Sequence, residues 1–411
     1  MSRLGKLISF FLAAVALVVT ACEKTPSENG PDTSTDTGQP WAPYYDLTGL
    51  TVDGKFPIIA WTGITAEESD YKLELMRDCG INVYLGWYDT LDEVMRVLDN
   101  AQKAGVKCIL RCDAIFSNTG NVVTRMKDHP ALFAYHIEDE PETSEIDMLA
   151  EAVKKIQKYD STHPCYINLY PNWAWGKIDD YIQKVNAFLT KVPQRFLSFD
   201  HYPIQEIDGV SSLRPEWYKN LEDIRRMGRA KKIPTWAFAL SLAHYLEDVT
   251  YPVPTLEELR VQMFSNLAYG IQGFQYFTFH GIYRNVKTQV YDRAKKVNEE
   301  LQALAKIFLG AEVTDVWHTG VEIPYGTKAL TEMPAGISSL KTSDKGAVVS
   351  QVVKDGNRYI AIVNKDYKSS MDLEIEFSSK ATLYDNMGYK MAAVSGKTTV
   401  SPGNIVIYQI H

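Results

Sequence analysis

The sequence predicts a (β/α)8 TIM barrel followed by a small β-sandwich, and three observations lead to this prediction. Strand-like apolar runs begin near eight positions, namely Phe56, Ile81, Val106, Ala131, His163, Phe196, Ile233 and Gly273. Helix-forming segments lie between these runs, so that strand and helix alternate with a repeat of about 25 to 40 residues. After Gly310 the pattern changes to short alternating strands. Eight alternating units in about 260 residues match a closed barrel in number and in length.

The predicted helices have recognisable ends. Thr65-Ala66-Glu67-Glu68 and Thr90-Leu91-Asp92-Glu93 are capping boxes, and the helices they start are expected to end at Gly80 and Gly105. The last helix is predicted over about residues 288–308, with an apolar stripe and Gly310 after it. A doubly wound open sheet is the alternative, but the sequence has neither G-x-G-x-x-G nor a P-loop. The barrel is therefore the prediction, over residues 46–310.

The C-terminal segment 311–411 is predicted to be the β-sandwich. Its strand-like segments are separated by Gly and Asn/Asp turns and include residues 347–352, 359–363, 371–377 and 405–408. We expect this accessory domain to pack on the barrel. Nothing in its sequence indicates catalysis.

The first 21 residues are predicted to be an export signal. Arg3 and Lys6 precede an apolar run from residue 7 to 19, which is too short to span a membrane as a mature helix. Val19-Thr20-Ala21-Cys22 resembles a bacterial lipobox, which implies lipidation of Cys22. The polar segment 22–45 then predicts a flexible tether. These features predict a membrane-anchored lipoprotein, in the periplasm or on the outer cell surface.

The composition limits the partners and cofactors. A formal net charge of −8 argues against nucleic acid, which requires basic surfaces. The 24 Tyr and 8 Trp suit carbohydrate binding, although ordinary core packing explains them equally well. No CxxC pair or nucleotide motif is present, so no cofactor is predicted. The cysteines outside the signal lie in apolar strand and helix patterns and are expected to be buried thiols rather than disulfides: Cys79, Cys108, Cys112 and Cys165.

The most informative segment is the end of the fourth predicted strand, where Glu138-Asp139-Glu140-Pro141 follows an apolar run. Active sites of such barrels lie at the C-terminal ends of the strands. Adjacent carboxylates raise one another's pKa, and a raised pKa is what a general acid requires. The cluster therefore predicts an active site in which Glu138 and Asp139 raise the pKa of Glu140.

Asp139-Glu140-Pro141 resembles the Asn-Glu-Pro motif of the clan-A glycoside hydrolases, which cleave sugars with two glutamates on a (β/α)8 barrel. The resemblance implies that Glu140 is the general acid/base. It also places Asp139 where the family has an Asn that contacts the sugar 2-hydroxyl, a bond that a carboxylate accepts but does not donate. The barrel with a trailing β-sandwich is similar to predicted glycosidases among exported lipoproteins of gut-type bacteria.

The sequence departs from this family at strand seven, where the resemblance implies a nucleophilic glutamate. Residues 233–241 contain no carboxylate, and the nearest one is Glu247. Three residues remain candidates for the second carboxylate: Asp200, Asp113 and Glu138. Asp200 as a more distant partner would suit an inverting mechanism, whereas a structural role is the expectation for the other two. A barrel that binds glycan without cleaving it is the alternative to an enzyme.

The remaining predicted site residues are polar and aromatic side chains at the strand ends. The rim histidines His136, His201 and His280 lack metal-site spacing, so no metal is predicted. Aromatic rings at the rim, including Trp87, are predicted to stack on sugar, with about half of them serving as packing instead. The predicted substrate contacts are Trp61, Arg111, Asp113, Glu138, Asp139, Asn168, Tyr170, Trp173, Tyr202, Trp236, Tyr276 and His280.

Overall fold

The structure is a computed structural model that describes residues 43–246 and 248–411. The predicted signal peptide, Cys22 and Glu247 lie outside the described residues, as does the tether up to residue 42. Within the described part of the chain, these strands precede Gly310: β1 (Ile58–Trp61), β2 (Val83–Tyr88), β3 (Lys107–Cys112), β4 (Leu132–Asp139), β5 (Cys165–Leu169), β6 (Leu197–Phe199), β7 (Ile204–Ile207), β8 (Val210–Leu213), β9 (Thr235–Leu240), β10 (His244–Leu246), β11 (Val249–Tyr251) and β12 (Gly273–Phe277).

Eight of these strands form a closed parallel barrel in the order β1-β12-β9-β6-β5-β4-β3-β2. β9 and β12 are therefore the seventh and eighth barrel strands. Each barrel strand begins within two residues of its predicted start. The predicted fold class is confirmed.

The helices lie between the barrel strands and cover the barrel. Thr90 caps its helix with a complete capping box, and Gly105 ends that helix in a left-handed conformation (φ 73°), as predicted. The Thr65 box instead closes a turn, in which the Glu68 N–H donates to Thr65 Oγ1 (3.3 Å), one residue before the helix begins. The α-helices are α1 (Ser69–Asp78), α2 (Leu91–Ala104), α3 (Ala114–Ser117), α4 (Thr119–Met126), α5 (Ile146–Gln157), α6 (Tyr181–Lys191), α7 (Trp217–Lys231), α8 (Leu256–Ala268), α9 (Phe279–Ile282) and α10 (Gln289–Phe308).

Inward-pointing side chains fill the barrel, because side chains alternate between the two faces of each strand. Trp236 lies in this interior and stacks on Phe196, with ring centroids 3.8 Å apart. The other large members of the cluster are Ile59, Trp61, Val83, Leu85, Ile109, Phe133, Tyr166 and Phe238. The barrel is a packed core, and the space for a ligand lies above it, at the C-terminal ends of the strands.

A small antiparallel sheet stands beside this mouth. It has the strand order β10-β11-β7-β8 and is built from the segments that follow β6 and β9. We call these four strands the mouth sheet. Since the segments leave the C-terminal ends of two adjacent barrel strands, the mouth sheet forms a wall on the β6/β9 side, across the barrel from β2 and β3.

The C-terminal part is a β-sandwich, as predicted. Its six-stranded and three-stranded sheets enclose an apolar core that includes Leu340, Ile362 and Leu373. It packs on the barrel, where Arg229 pairs with Glu312 (2.9 Å). Its strands are β13 (Glu312–His318), β14 (Ile337–Thr342), β15 (Ala347–Lys354), β16 (Asn357–Asn364), β17 (Met371–Phe377), β18 (Ala381–Tyr384), β19 (Lys390–Ala392), β20 (Gly396–Val400) and β21 (Ile405–Ile410).

Two further expectations concern cysteines and membrane spans. The four cysteines Cys79, Cys108, Cys112 and Cys165 are free and buried, as predicted. Among the described residues, no helix has both the length and the apolar character needed to cross a membrane.

Candidate active site

Three carboxylates meet at the barrel mouth. Asp139 ends β4, Glu140 follows it, and Asp200 follows β6. Asp139 lies beside Asn168 in the sheet register, and Asn168 lies beside Ser198 of β6. The carboxylates therefore lie at a similar height at the ends of β4 and β6, which are separated by β5, rather than at the ends of β4 and the seventh barrel strand.

The backbone at Glu140 explains how two adjacent residues both face the mouth. Simple alternation would place Glu138 and Glu140 on one side of the strand and Asp139 on the other. A register shift between His136 and Glu138 interrupts that alternation. Glu140 then adopts a left-handed conformation (φ 51°), which is uncommon for a residue other than glycine. Unusual backbone conformations of this kind concentrate at functional sites.

Asp200 is the more buried of the acids, with 8% of its surface exposed. The Tyr202 hydroxyl donates to Asp200 Oδ2 (2.9 Å). Glu140 is within hydrogen-bonding range of the same carboxylate, whereas Oδ1 of Asp200 is buried without an aligned partner. Asp200 therefore lies nearer to Glu140 than the more distant partner that would suit an inverting mechanism.

The electrostatics of the cluster favour keeping a proton in it. Burial raises the pKa of Asp200, and hydrogen bonds from Tyr202 and Glu140 partly offset this shift. Dense protein surroundings and the charge of Asp200 raise the pKa of Asp139. The Asp139 side chain is nevertheless accessible to solvent, so burial acts on it less than on Asp200. Since neighbouring carboxylates do not all ionise at neutral pH without a large cost, one of them retains a proton.

A chain of hydrogen bonds crosses the barrel and ends on Asp139. Tyr166 donates to Gln275 Oε1 (2.6 Å), and Gln275 donates to Ser198 Oγ (2.9 Å). Ser198 donates to Asn168 Oδ1 (2.8 Å), and Asn168 donates to Asp139 Oδ1 (3.2 Å). Every donor points toward the carboxylate, so the bonds polarise one another. This chain fixes the Asn168 amide and the Asp139 side chain.

Other predicted residues border the mouth in different ways. Arg111 donates to the Ile137 carbonyl (2.6 Å), and its charge lowers the pKa of Asp139. Burial raises the pKa of Tyr170, and the negative charge of nearby Glu140 raises it further. Exposed His280 lies against Gly63, where an added Cβ would come within 3.1 Å of the imidazole.

Asp113, Glu138 and Trp173 have contacts outside the cluster. Asp113 is exposed, and among the described residues no ion pair joins it to Arg111. Glu138 Oε1 accepts from the Asp139 N–H (3.1 Å). One face of Trp173 is covered by the Arg214 guanidinium, 4.1 Å from the ring centroid.

The structure corrects three predicted sugar contacts. Tyr276 points outward, is fully buried and donates to Asn298 of α10 (2.7 Å). Trp236 is fully buried inside the barrel, and Trp61 is only 3% exposed. The exposed ring at the mouth is Trp87, which is 49% exposed and lies over His136 (5.6 Å).

The rim histidines differ in their positions. His136 is buried beneath Trp87, and burial lowers its pKa to about 3, so the ring is neutral. His201 points away from the mouth to Asn220 of α7 (2.9 Å). Among the residues that the structure describes, no three His, Cys, Asp or Glu side chains are grouped to hold a metal ion.

Sequence reasoning missed Ser198, Gln275 and Tyr166, although a signal for them exists. Each is a residue with a polar group at an inward position of a barrel strand, where most inward residues are apolar. It also missed the mouth sheet, since its four strands lie in segments assigned to loops. A cavity of about 410 Å³ lies on the outer side of that sheet, beside Ser211, and is not lined by Asp139, Glu140 or Asp200.

Comparison with known proteins gives similarity in structure only. No protein-family model matches the sequence, and no curated protein matches it. The fold is similar to that of a proposed α-galactosidase from Bacteroides fragilis (TM-score 0.52, 11% identity, 90% of this chain and 80% of that chain). It is also similar to the γ-CGTase of alkalophilic Bacillus clarkii (TM-score 0.50, 9% identity, 89% and 72%).

A third similar structure is the β-galactosidase of the psychrophilic Marinomonas ef1 (TM-score 0.44, 10% identity). The match covers 61% of this chain and only 60% of that enzyme. The two matches with TM-scores of 0.52 and 0.50 show the fold alone, a (β/α)8 barrel with a C-terminal β-sandwich. The activity has to be argued from the site.

Proposed function

We propose that this protein is a glycoside hydrolase that cleaves a poly- or oligosaccharide, with Glu140 as general acid/base and Asp200 as nucleophile. The observation that supports the proposal most strongly is the contact between these two side chains at the barrel mouth. Paired carboxylates flanking the scissile bond are the usual catalytic groups of glycosidases. The proposal keeps the acid implied by the resemblance to clan A and moves the nucleophile from strand seven to the end of β6.

The hydrogen-bonding pattern supports these two roles. A hydrogen bond between Glu140 and Asp200 lowers the pKa of Asp200. Tyr202 and Asn168 also stabilise the ionised form of Asp200. In this proposal Glu140 is the proton donor of the pair, and Asp200 acts in its ionised form through Oδ1, which has no aligned hydrogen-bond partner among the described residues.

The reaction then follows in two balanced steps. Glu140 transfers its proton to the glycosidic oxygen while Asp200 Oδ1 attacks the anomeric carbon, so that the C–O bond to the leaving group breaks and a glycosyl ester forms. Glu140, now ionised, takes a proton from water, and the hydroxide displaces Asp200. Because Glu140 lies within hydrogen-bonding range of Asp200, a retaining double displacement suits the pair better than an inverting one, whose carboxyl groups lie about 6.5–9.5 Å apart with a water between them.

The test of this proposal is Glu140→Gln. Because the variant cannot donate a proton, hydrolysis of a natural glycan should fall by about 10²-fold or more. Aryl glycosides with good leaving groups need less protonation, so their glycosylation step should fall less. Glycan binding should survive, since Gln keeps the shape of the side chain. Glu151→Gln on the exposed face of α5 is the matched control and should leave both rates unchanged.

Hydrolysis that is indifferent to Glu140→Gln would assign the acid to another residue. The alternative function is glycan binding without cleavage. One observation favours it: β9 is fully buried and contains no carboxylate, so the strand-seven nucleophile of the resemblance is absent. A wild-type protein that binds a glycan but never cleaves it would establish this alternative.

We also propose that the protein is lipid-anchored at Cys22 and faces the periplasm or the cell exterior. The proposal rests on the sequence Val19-Thr20-Ala21-Cys22 after an apolar run. In a host that processes lipoproteins, Cys22→Ala should no longer fractionate with membranes. Unchanged partitioning would remove the anchor from this account.

A further inference from the structure

The mouth sheet presents a row of aliphatic side chains, one from each strand. Leu246 pairs with Val249, and Ile207 pairs with Val210. The pairing of Thr250 with Glu206 sets Val249 beside Ile207. Directly paired residues point to the same face of a sheet. Three of the four are largely exposed: Leu246 (47%), Ile207 (55%) and Val210 (57%). We call these four residues the aliphatic row.

The face that bears the aliphatic row is the face toward the mouth. His244 and Tyr251 lie two residues from Leu246 and Val249 and therefore share their face. Their rings contact Tyr202, with centroids 5.9 and 6.0 Å away. Tyr202 in turn donates to Asp200. The aliphatic row therefore lies on the same sheet face as His244 and Tyr251, two residues further along the strands from the rings that contact Tyr202.

The opposite face of the mouth sheet has a different environment. It bears Tyr245, Thr250, Glu206 and Ser211, the last of which lines the 410 Å³ cavity together with Tyr367 and Lys368 of the C-terminal domain. Ser211 of this face also accepts a hydrogen bond from Lys368 through its backbone carbonyl (2.6 Å), so its contacts are with the C-terminal domain. The two faces are therefore distinguished by their contacts: one contacts Tyr202, and the other lines the cavity beside the C-terminal domain.

We propose that the aliphatic row binds an apolar group, such as an alkyl or acyl chain, that the carbohydrate substrate carries close to the scissile bond; this inference rests on the proposed glycosidase function. Exposed apolar surface marks interaction sites. Aliphatic side chains offer no hydrogen bond to sugar hydroxyls, whose burial without partners is unfavourable. Across the mouth, the exposed ring of Trp87 provides the surface suited to a sugar.

The surroundings argue against two other occupants. Asp208 and Asp248 are exposed in the turns beside the row, and their charges oppose docking on an anionic lipid surface. A second copy of the chain would bring the same acidic turns against its own row. An uncharged alkyl or acyl chain on the substrate is not repelled by the carboxylates of Asp208 and Asp248.

The test uses n-alkyl glucosides and galactosides from methyl to octyl. KM should fall about twofold per added methylene, since a half-buried methylene contributes roughly half of its full transfer free energy. In the double variant Ile207→Thr/Val210→Thr this dependence on chain length should disappear, while kcat for the methyl glycoside stays unchanged. Tyr245→Thr, on the opposite face, is the control and should keep the dependence.

Several results would overturn the inference. These are a KM independent of chain length, a dependence that survives the double variant, or a dimer or vesicle-bound form that the double variant abolishes. If the wild type cleaves nothing, the proposed function fails separately. Calorimetric binding of octyl against methyl glycosides then still decides the question, because equal affinities contradict the inference and tighter octyl binding lost in the double variant supports it.

Discussion

A buried aspartate lies at each end of the barrel, and the two differ in their hydrogen bonds and in the direction of their pKa shifts. Asp160 precedes β5 at the N-terminal end, and its two oxygens accept from Thr162, His163 and Tyr135 at 2.7–3.2 Å. These bonds outweigh burial and lower its pKa. Asp200, at the mouth, has one oxygen without an aligned partner and a raised pKa.

The difference separates stability from function. A buried carboxylate with every lone pair satisfied holds its surroundings together. A carboxylate left partly unsatisfied costs stability and is retained where it reacts. We therefore assign Asp160 to the fold and Asp200 to the chemistry.

The largest expected effect is that of Asp200→Asn. Because Asn is a poor nucleophile and cannot ionise, kcat should fall on the order of 10⁴-fold or more, the scale seen when a nucleophilic centre is disabled. The free energy of unfolding should stay the same or rise, since burying an amide costs less than burying a charge. Steady-state kinetics and denaturant unfolding check both parts. A variant that keeps its activity would place Asp200 with the structural carboxylates.

Asp160→Asn should show the opposite behaviour. The Asn amide group cannot accept all the bonds that the two Asp160 oxygens now receive, and buried donors are left unsatisfied. We expect the free energy of unfolding to fall by about 2–4 kcal/mol, with kcat per folded molecule unchanged. Urea unfolding combined with active-site titration measures the two quantities separately. A loss of kcat without a loss of stability would break the comparison between the two ends.

Tyr202→Phe should give the smallest effect, a shift in pH dependence. Activity requires ionised Asp200, so the rate rises with pH through the pKa of that residue. The Tyr202 hydrogen bond lowers this pKa, and its removal should raise the pKa further. The acidic limb of kcat/KM should therefore move upward by roughly one to two pH units, the equivalent of one hydrogen bond to a charged group. A limb that moves downward, or stays in place, would contradict the assignment of Asp200 as the ionised partner.

The sequence was sufficient to predict the architecture because the fold depends on periodic patterns. Strand-like apolar runs recur eight times, once for each barrel strand, and some helix starts carry a recognisable cap such as Thr90. The C-terminal sandwich was predicted for the same reason. Its inward residues alternate with outward ones along β17, where Met371, Leu373 and Ile375 are buried.

The site was predicted only in part, because it depends on details that no local pattern specifies. The left-handed backbone at Glu140 turns two successive side chains toward the mouth, which strand alternation does not anticipate. Tyr276 and Trp236 both lie near strand ends in the sequence, but Tyr276 points outward to α10 and Trp236 is buried inside the barrel. Asp200 was one of three candidates for the second carboxylate, and only the neighbouring positions of β4, β5 and β6 show that it lies beside Asp139 and Glu140.

The central claim is that Asp200 is the nucleophile, and covalent trapping tests it most directly. A 2-deoxy-2-fluoroglycosyl substrate with a good leaving group slows the second step, so the glycosyl ester accumulates. Peptide mass mapping should then find one glycosyl group on Asp200, and the label should be absent from Asp200→Asn. A label on Asp139 or Glu140, or a released sugar of inverted configuration, would contradict the account.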